Sequence, residues 1–443
     1  MAGAPQDTIY ALATPPGRSG VAVVRLSGPG AILASEKLTG RRLPARRASL
    51  ALLRDPASGD LIDSAIVITY PGPSSFTGED IVEFQCHGSR AVVSYLYKIL
   101  ENNDNFRIAE AGEFTRRALM NGRLDLTQVE GLADLLHAET EAQRRLAMRT
   151  LDGTLARKAS AWREQLVHAL ALVEVTIDFA DEELPADIVV ALREKLTEIS
   201  ESLDRELVGA AAAERVRDGF EVALVGRPNA GKSTLLNALA GRDAALTSAR
   251  PGTTRDVLEV RMDIDGLAAT FLDMAGLRET GDDIESLGVA RARERAERAD
   301  VRVFLLEDPE DLDVLGVRRV VGDIVAFGKA DLPRSVKVCD VSALSVSGLT
   351  GAGIDALVAA ISDTLMDRTS TAGQVSNERQ RTAIGRASEA LAAASDAMLG
   401  GEGDIELVSM HIREALRALE FLVGNVDVES VLDVIFGAFC LGK

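Results

Sequence analysis

Short apolar runs separated by turn residues dominate the first quarter of the chain. Residues 21–26, 65–70 and 80–85 read as strands, and Pro15-Pro16-Gly17 and Pro71-Gly72-Pro73 punctuate them. An α+β module over 1–119 is predicted. From 125 to 178 the apolar positions recur at helical spacing, with Leu132, Leu135 and Leu136, then Leu166, Leu170 and Val173, on shared faces, and Pro185 breaks the pattern. A second helical run covers 189–217. The compact apolar run Phe220–Val225 then opens an alternation of strand and helix that continues to 363. Helical spacing returns over 377–439, with a turn at 400–403. This order predicts one helical domain in two segments, 120–217 and 367–443, interrupted by an inserted α/β domain over 218–366.

Composition narrows the function classes. At 443 residues the chain has room for about three domains of roughly 150 residues. Apolar residues at 47% and charged residues at 26% exclude disorder as the main state. Asp and Glu number 68 against 49 Lys and Arg, a formal charge of -19, so the whole-molecule field repels phosphate backbones and anionic membranes. Nucleic-acid contact must then be local or supplied by a partner. Aromatic residues at 4% are too few for a base-stacking platform. Cys86, Cys339 and Cys440 are scattered and odd in number, which fits neither a disulfide framework nor a cysteine zinc site and points to a reducing cytoplasm. Neither a signal peptide nor a membrane span is expected.

The run Gly226-Arg227-Pro228-Asn229-Ala230-Gly231-Lys232-Ser233 matches G-x-x-x-x-G-K-[ST] between the strand Phe220–Val225 and a predicted helix over 234–240. Backbone N–H groups from Asn229 to Thr234 would close around phosphates, Lys232 would reach the β and γ phosphates, and the Ser233 hydroxyl would ligate Mg²⁺. Downstream, Asp273-Met274-Ala275-Gly276 follows a predicted strand over 269–272 and offers a carboxylate for the metal shell and a glycine N–H for the γ-phosphate. Between the two, Gly252-Thr253-Thr254-Arg255-Asp256 supplies a hydroxyl, Thr254, that completes the metal shell when a switch loop closes; a structural threonine turn is the alternative.

The base-reading segment departs from the usual form. Gly328-Lys329-Ala330-Asp331 stands where GTPases commonly carry N-K-x-D. Asp331 keeps the acceptor for the guanine ring N–H and amine, and Lys329 can pack along the base. Ser342-Ala343-Leu344 resembles the loop whose backbone N–H meets the guanine oxygen. Gly328 lacks the bracing side chain, worth about 1 kcal/mol for its hydrogen bond plus some loop order. Affinity for GTP and GDP is therefore expected to be about tenfold weaker than usual, with ATP rejected and Gly328→Asn tightening GDP.

These motifs, with Thr14-Pro15-Pro16-Gly17-Arg18-Ser19-Gly20 and the terminal Cys440-Leu441-Gly442-Lys443, resemble the MnmE (TrmE) family of tRNA modification GTPases from Thr8 to Lys443. The resemblance implies an N-terminal folate-binding and dimerisation domain, a helical domain built from two segments, and an inserted Ras-like P-loop G domain. It implies hydrolysis without the usual glutamine, since that position is Leu277. Glu285 would orient the attacking water, and K⁺, held by Asn229 with Ser248, Arg250 and Thr253, would take the place of an arginine finger. On its residues alone, Glu285 beside Asp282 and Asp283 reads as a solvated acid at a helix start. Arg291, Arg293, Arg295 and Arg298 interleave with Glu294 and Glu297, which favours a charge-laced solvated face over an RNA-binding one.

The same resemblance matches Arg25, Glu83, Arg123 and Lys443 to positions that hold a one-carbon tetrahydrofolate, 5-formyl or 5,10-methylene. Exposed edge charges are the plain alternative for Arg25 and Glu83. Cys440 reads as a small buried hydrophobe on its neighbours, and as part of the modification site on the resemblance. The implied protein is a homodimer that joins the FAD-containing MnmG (GidA) in a heterotetramer and modifies carbon 5 of the tRNA wobble uridine. A ribosome-assembly GTPase without modification chemistry is the rival.

Overall fold

The computed structural model describes residues 7–178, 186–242, 246, 259–273, 293–313, 317–332, 343–398, 405–426, 432, 435–437, 439 and 442. The chain forms two compact units, Met1–Ala133 with Glu420–Lys443, and Asp134–Leu419.

The first unit is built on a six-stranded sheet. Its strands are β1 (Thr8–Leu12), β2 (Ser19–Ser27), β3 (Ser49–Arg54), β4 (Leu61–Tyr70), β5 (Ile81–Gly88) and β6 (Phe106–Ile108), in the order β3-β4-β5-β2-β1-β6. All pairs are antiparallel except β1 with β6. Period-two alternation sends Val24 and Leu26 of β2 and Val82, Phe84 and Cys86 of β5 to one face, where α1 (Ala31–Thr39) and α2 (Arg90–Glu101) bury Leu38, Leu96 and Leu100 against them. Arg25 and Glu83, out of phase by one residue, fall on the other face. Burial pushes the Cys86 thiol up to about 12, so it stays protonated and packs as a small hydrophobe. Helices α3 (Glu113–Met120) and α4 (Leu126–His137) follow, with Phe114 buried among Ile9, Ala11 and Ala109.

The second unit carries α5 (Glu141–Leu151), α6 (Thr154–Asp178) and α7 (Ala186–Asp218), then the α/β insertion. The helical spacing over 125–178 thus corresponds to three helices, α4, α5 and α6. A capping box, Thr140 with Gln143, starts α5, and Gly153 at φ 75 separates α5 from α6. The insertion has β7 (Phe220–Val225), α8 (Lys232–Ala240), β8 (Glu259–Ile264), β9 (Leu267–Asp273), β10 (Val301–Leu306), β11 (Ile324–Phe327), β12 (Leu344–Ser345) and α9 (Ile354–Thr369). Its sheet runs β12-β11-β10-β7-β9-β8, parallel except for the β8–β9 hairpin. Leu235, Leu236 and Leu239 of α8 and Leu357, Ile361 and Leu365 of α9 cover one face, over Val222, Leu224 and Val303.

After the insertion, α10 (Glu378–Ala397) returns to lie along α7, and α11 (Ile405–Val423) follows. Ser388 donates to Asp204 at 2.7 Å, and Arg381 pairs with Glu214 at 3.1 Å. Where the two segments cross, the Gly373 N–H donates to the Gly209 carbonyl at 3.0 Å, and a Cβ on Gly209 would lie 2.5 Å from that nitrogen. The helical domain is therefore assembled from chain on both sides of the insertion. Among the described residues, no helix is long and apolar enough to cross a membrane.

Candidate functional site

Parallel strands end together at one edge of the insertion's sheet, the place where α/β folds bind ligands. β7 delivers the loop to Gly231, whose φ of 97 caps α8, and Asn229 is also left-handed at φ 67. The loop and the ends of β10 and β11 border a cavity of ≈ 570 Å³. Lys232 is buried at 5% exposure, and its ammonium donates to the carbonyls of Gly226 at 2.7 Å and Arg227 at 2.8 Å. Burial lowers its pKa from the ordinary lysine value, opposed by the Asp273 carboxylate. A cation held this way sits against the loop that cradles phosphate.

Asp273 ends β9 at 2% exposure, and its Oδ2 accepts from the Ser233 hydroxyl at 2.7 Å. Its Oδ1 is buried with no hydrogen-bond partner among the described residues. An orphaned carboxylate oxygen beside a hydroxyl is the donor set a hard divalent cation takes, so these residues fit Mg²⁺. Thr254, Ser248, Arg250, Thr253, Met274, Ala275, Gly276 and Glu285 lie outside the described residues.

At the base end, Asp331 and Lys329 border the cavity. The Ser347 hydroxyl donates to Asp331 Oδ1 and holds that carboxyl below the usual range. Lys329 takes φ 56 and pairs with Glu307. The sequence motif placed the second base-facing loop one strand too early. Ser342 lies outside the described residues, while Leu344 and Ser345 pair with Ala326 and Phe327 as strand β12. The segment that reaches the cavity is Val346, Ser347, Gly348 and Leu349. Ser347-Gly348-Leu349 repeats the serine and leucine of Ser342-Ala343-Leu344 five positions later. The distinguishing signal was the turn after it, Thr350-Gly351, whose glycine has φ 79.

In the first unit, β2 and β5 are interior strands, so Arg25 and Glu83 are not edge charges. They are direct cross-strand partners, with Arg25 Nε donating to Glu83 Oε1 at 2.9 Å, and they are 19% and 16% exposed. Arg25 Nη1 also donates to the Gly442 carbonyl at 3.3 Å, and its guanidinium lies 5.8 Å from the Phe114 ring centroid. Gly442, at φ 89, packs so close to the end of β1 that a Cβ there would lie 2.4 Å from the Leu12 carbonyl oxygen. Gly442 thus reaches the Arg25–Glu83 pair. Lys443 and Cys440 lie outside the described residues. Arg123 is held separately, its Nε donating to the Ser75 carbonyl at 3.2 Å. In the arginine-rich helix, Arg295 pairs with Glu221 at 2.9 Å and Glu259 at 2.7 Å, and Arg298 with Glu294 at 2.7 Å, as a charge-laced face requires.

The loop, its buried lysine, the Ser233–Asp273 pair and a carboxylate-bearing base pocket define a P-loop GTPase domain inserted into a helical domain. A family model described as the MnmE helical domain matches residues 126–440, and one described as the GTP-binding protein TrmE N-terminus matches residues 8–123. Two relatives, each described as tRNA modification GTPase MnmE, come from Ruegeria sp. (strain TM1040), 53% identical over 437 residues, and Ruegeria pomeroyi, 51% identical over 437 residues. Each alignment covers 99% of this chain and 100% of the relative. The chain belongs to the MnmE family of tRNA modification GTPases.

Proposed function

We propose that this chain hydrolyses GTP, with Mg²⁺ and K⁺, to drive the modification of carbon 5 of the wobble uridine (U34) in certain tRNAs. It would act in the cytoplasm as a homodimer with the FAD-containing MnmG, adding an aminomethyl or carboxymethylaminomethyl group. Residues 1–119 would bind the folate and dimerise, 120–217 and 367–443 form the helical domain, and 218–366 the G domain. A reduced folate would supply the one-carbon unit, and Arg25, Glu83, Arg123 and Lys443 would hold it.

The observation that favours this over a ribosome-assembly switch is the meeting of Gly442 with Arg25 across 417 positions of sequence. A GTPase used only as a switch has no need of Gly442 beside a half-buried charge pair on another sheet. Ser233 and Asp273 would hold Mg²⁺, Lys232 would neutralise phosphate charge, Glu285 would orient water, and Asn229 would help hold K⁺. GTP turnover would move domains rather than make bonds. The chain's net charge of -19 leaves much of the tRNA contact to the partner.

Reconstitution tests the reading. Full-length protein, MnmG, unmodified tRNA, 5,10-methylene-tetrahydrofolate, ammonium or glycine as the nitrogen donor, GTP, Mg²⁺ and K⁺ are expected to yield a modified U34 by nucleoside mass spectrometry. The product should vanish without the folate. Unmodified tRNA in the complete mixture would refute the reading. Replacing K⁺ by Na⁺ at matched ionic strength is expected to slow GTP turnover, and equal rates would remove the potassium assignment.

A further inference from the structure

Two glycines bring the base end of the nucleotide cavity onto its phosphate end. Gly328 follows β11, and a Cβ there would lie 2.5 Å from the Ala230 carbonyl oxygen of the phosphate loop and 3.3 Å from Leu305 Cδ1. Gly348 lies in the loop after β12, and a Cβ there would lie 2.6 Å from Leu235 N, 2.7 Å from Thr234 C and 2.8 Å from Leu235 Cα. Ala230 O and the Thr234–Leu235 atoms are backbone, fixed by the loop and the first turn of α8, and cannot swing aside as a side-chain tip would. Neither glycine has a left-handed φ, so the requirement is for space and not for backbone freedom.

The two loops are also tied to each other. The Ala330 N–H donates to the Val346 carbonyl at 3.0 Å, the Val346 N–H donates to the Phe327 carbonyl at 2.8 Å, and the Ser347 hydroxyl holds Asp331. A shift of either loop therefore moves Asp331 relative to the phosphate loop.

We propose that Gly328 and Gly348 are positioning residues for the guanine base. By seating both loops directly on the backbone of the phosphate loop and α8, they set the distance between Asp331 and the phosphate cradle. Close backbone packing takes the role that a bracing side chain at position 328 has elsewhere. The inference rests on reading this cavity as the GTP site, and it reverses the sign expected from the motif: Gly328→Asn loosens nucleotide binding, because the added Cβ has no room against Ala230.

The test is calorimetry of the full-length protein with GDP, ADP and inosine diphosphate, which lacks the exocyclic amine that Asp331 would read. Thermal unfolding without nucleotide is measured alongside. Wild type is expected to prefer GDP to both. In Gly328→Asn and Gly348→Ala, GDP affinity is expected to fall by about tenfold or more, and the GDP preference over inosine diphosphate to narrow, because a displaced Asp331 reads the amine poorly. Unchanged or tighter GDP binding with an unchanged preference in both variants overturns the proposal. Should both variants lose stability without nucleotide, Ser347→Ala decides: it adds no volume but frees Asp331, and an unchanged preference there overturns the proposal as well. Wild type that fails to bind GDP would refute the GTP reading itself, a result distinct from the failure of the glycine variants.

Discussion

GTP hydrolysis by the Asp273→Asn variant is expected to fall roughly 10²–10³-fold, the loss of a few kcal/mol of metal-borne charge stabilisation. The side chain is 2% exposed, with one oxygen on the Ser233 hydroxyl at 2.7 Å and the other without a partner among the described residues. The amide keeps the volume, so no cavity opens, but it removes the charge and can turn an NH₂ group toward a cation. Binding of GDP in chelator should not weaken, because the carboxylate does not hold phosphate. Single-turnover hydrolysis across a Mg²⁺ titration checks this. A variant with the wild-type rate and Mg²⁺ midpoint would remove Asp273 from the metal shell.

The second large effect is expected in the other unit. Arg25→Ala should weaken reduced-folate binding by at least tenfold while leaving GTP hydrolysis in the isolated protein unchanged. Arg25 donates through Nε to Glu83 at 2.9 Å and through Nη1 to Gly442 at 3.3 Å, so truncation leaves a carboxylate 16% exposed without its partner and releases Gly442. Leaving a charged group unsatisfied costs about 1–3 kcal/mol or more. Arg25→Lys keeps the charge but not the planar fork, and should recover only part of the affinity. Titration with 5-formyl-tetrahydrofolate reads both variants, and equal affinity in wild type and Arg25→Ala would refute the folate assignment of this pair.

What could be read from sequence was what is local. Strand β7 matches its apolar run from Phe220 to Val225, and the phosphate loop is legible because its chemistry fixes residue types at short spacing. The strands around 21–26 and 80–85 extend a few residues beyond their apolar cores, since backbone pairing continues after the apolar pattern stops. Pairings across long separations were not legible. That Arg25 faces Glu83 depends on the register of β2 with β5, and the contact with Gly442 depends on the return of the chain end. The base loop is hard to place from sequence because two similar tripeptides lie five residues apart, and the Thr350-Gly351 turn and the pairing of β12 with β11 tell them apart. At Gly328 a motif reports which side chain is missing, while the structure reports how close the Ala230 carbonyl comes to that position, and the proposal for this glycine rests on that packing.

The crossing of Gly209 and Gly373 has a consequence for how such a chain could arise. The outgoing helix and the returning strand of chain touch through one hydrogen bond at 3.0 Å, so the host helices see the whole insertion as a short bridge. A loop whose ends already meet adds almost no closure entropy however long it grows, because that cost rises only with the logarithm of length. An ancestral helical pair with a brief turn at this point could accept a complete nucleotide-binding module without repacking.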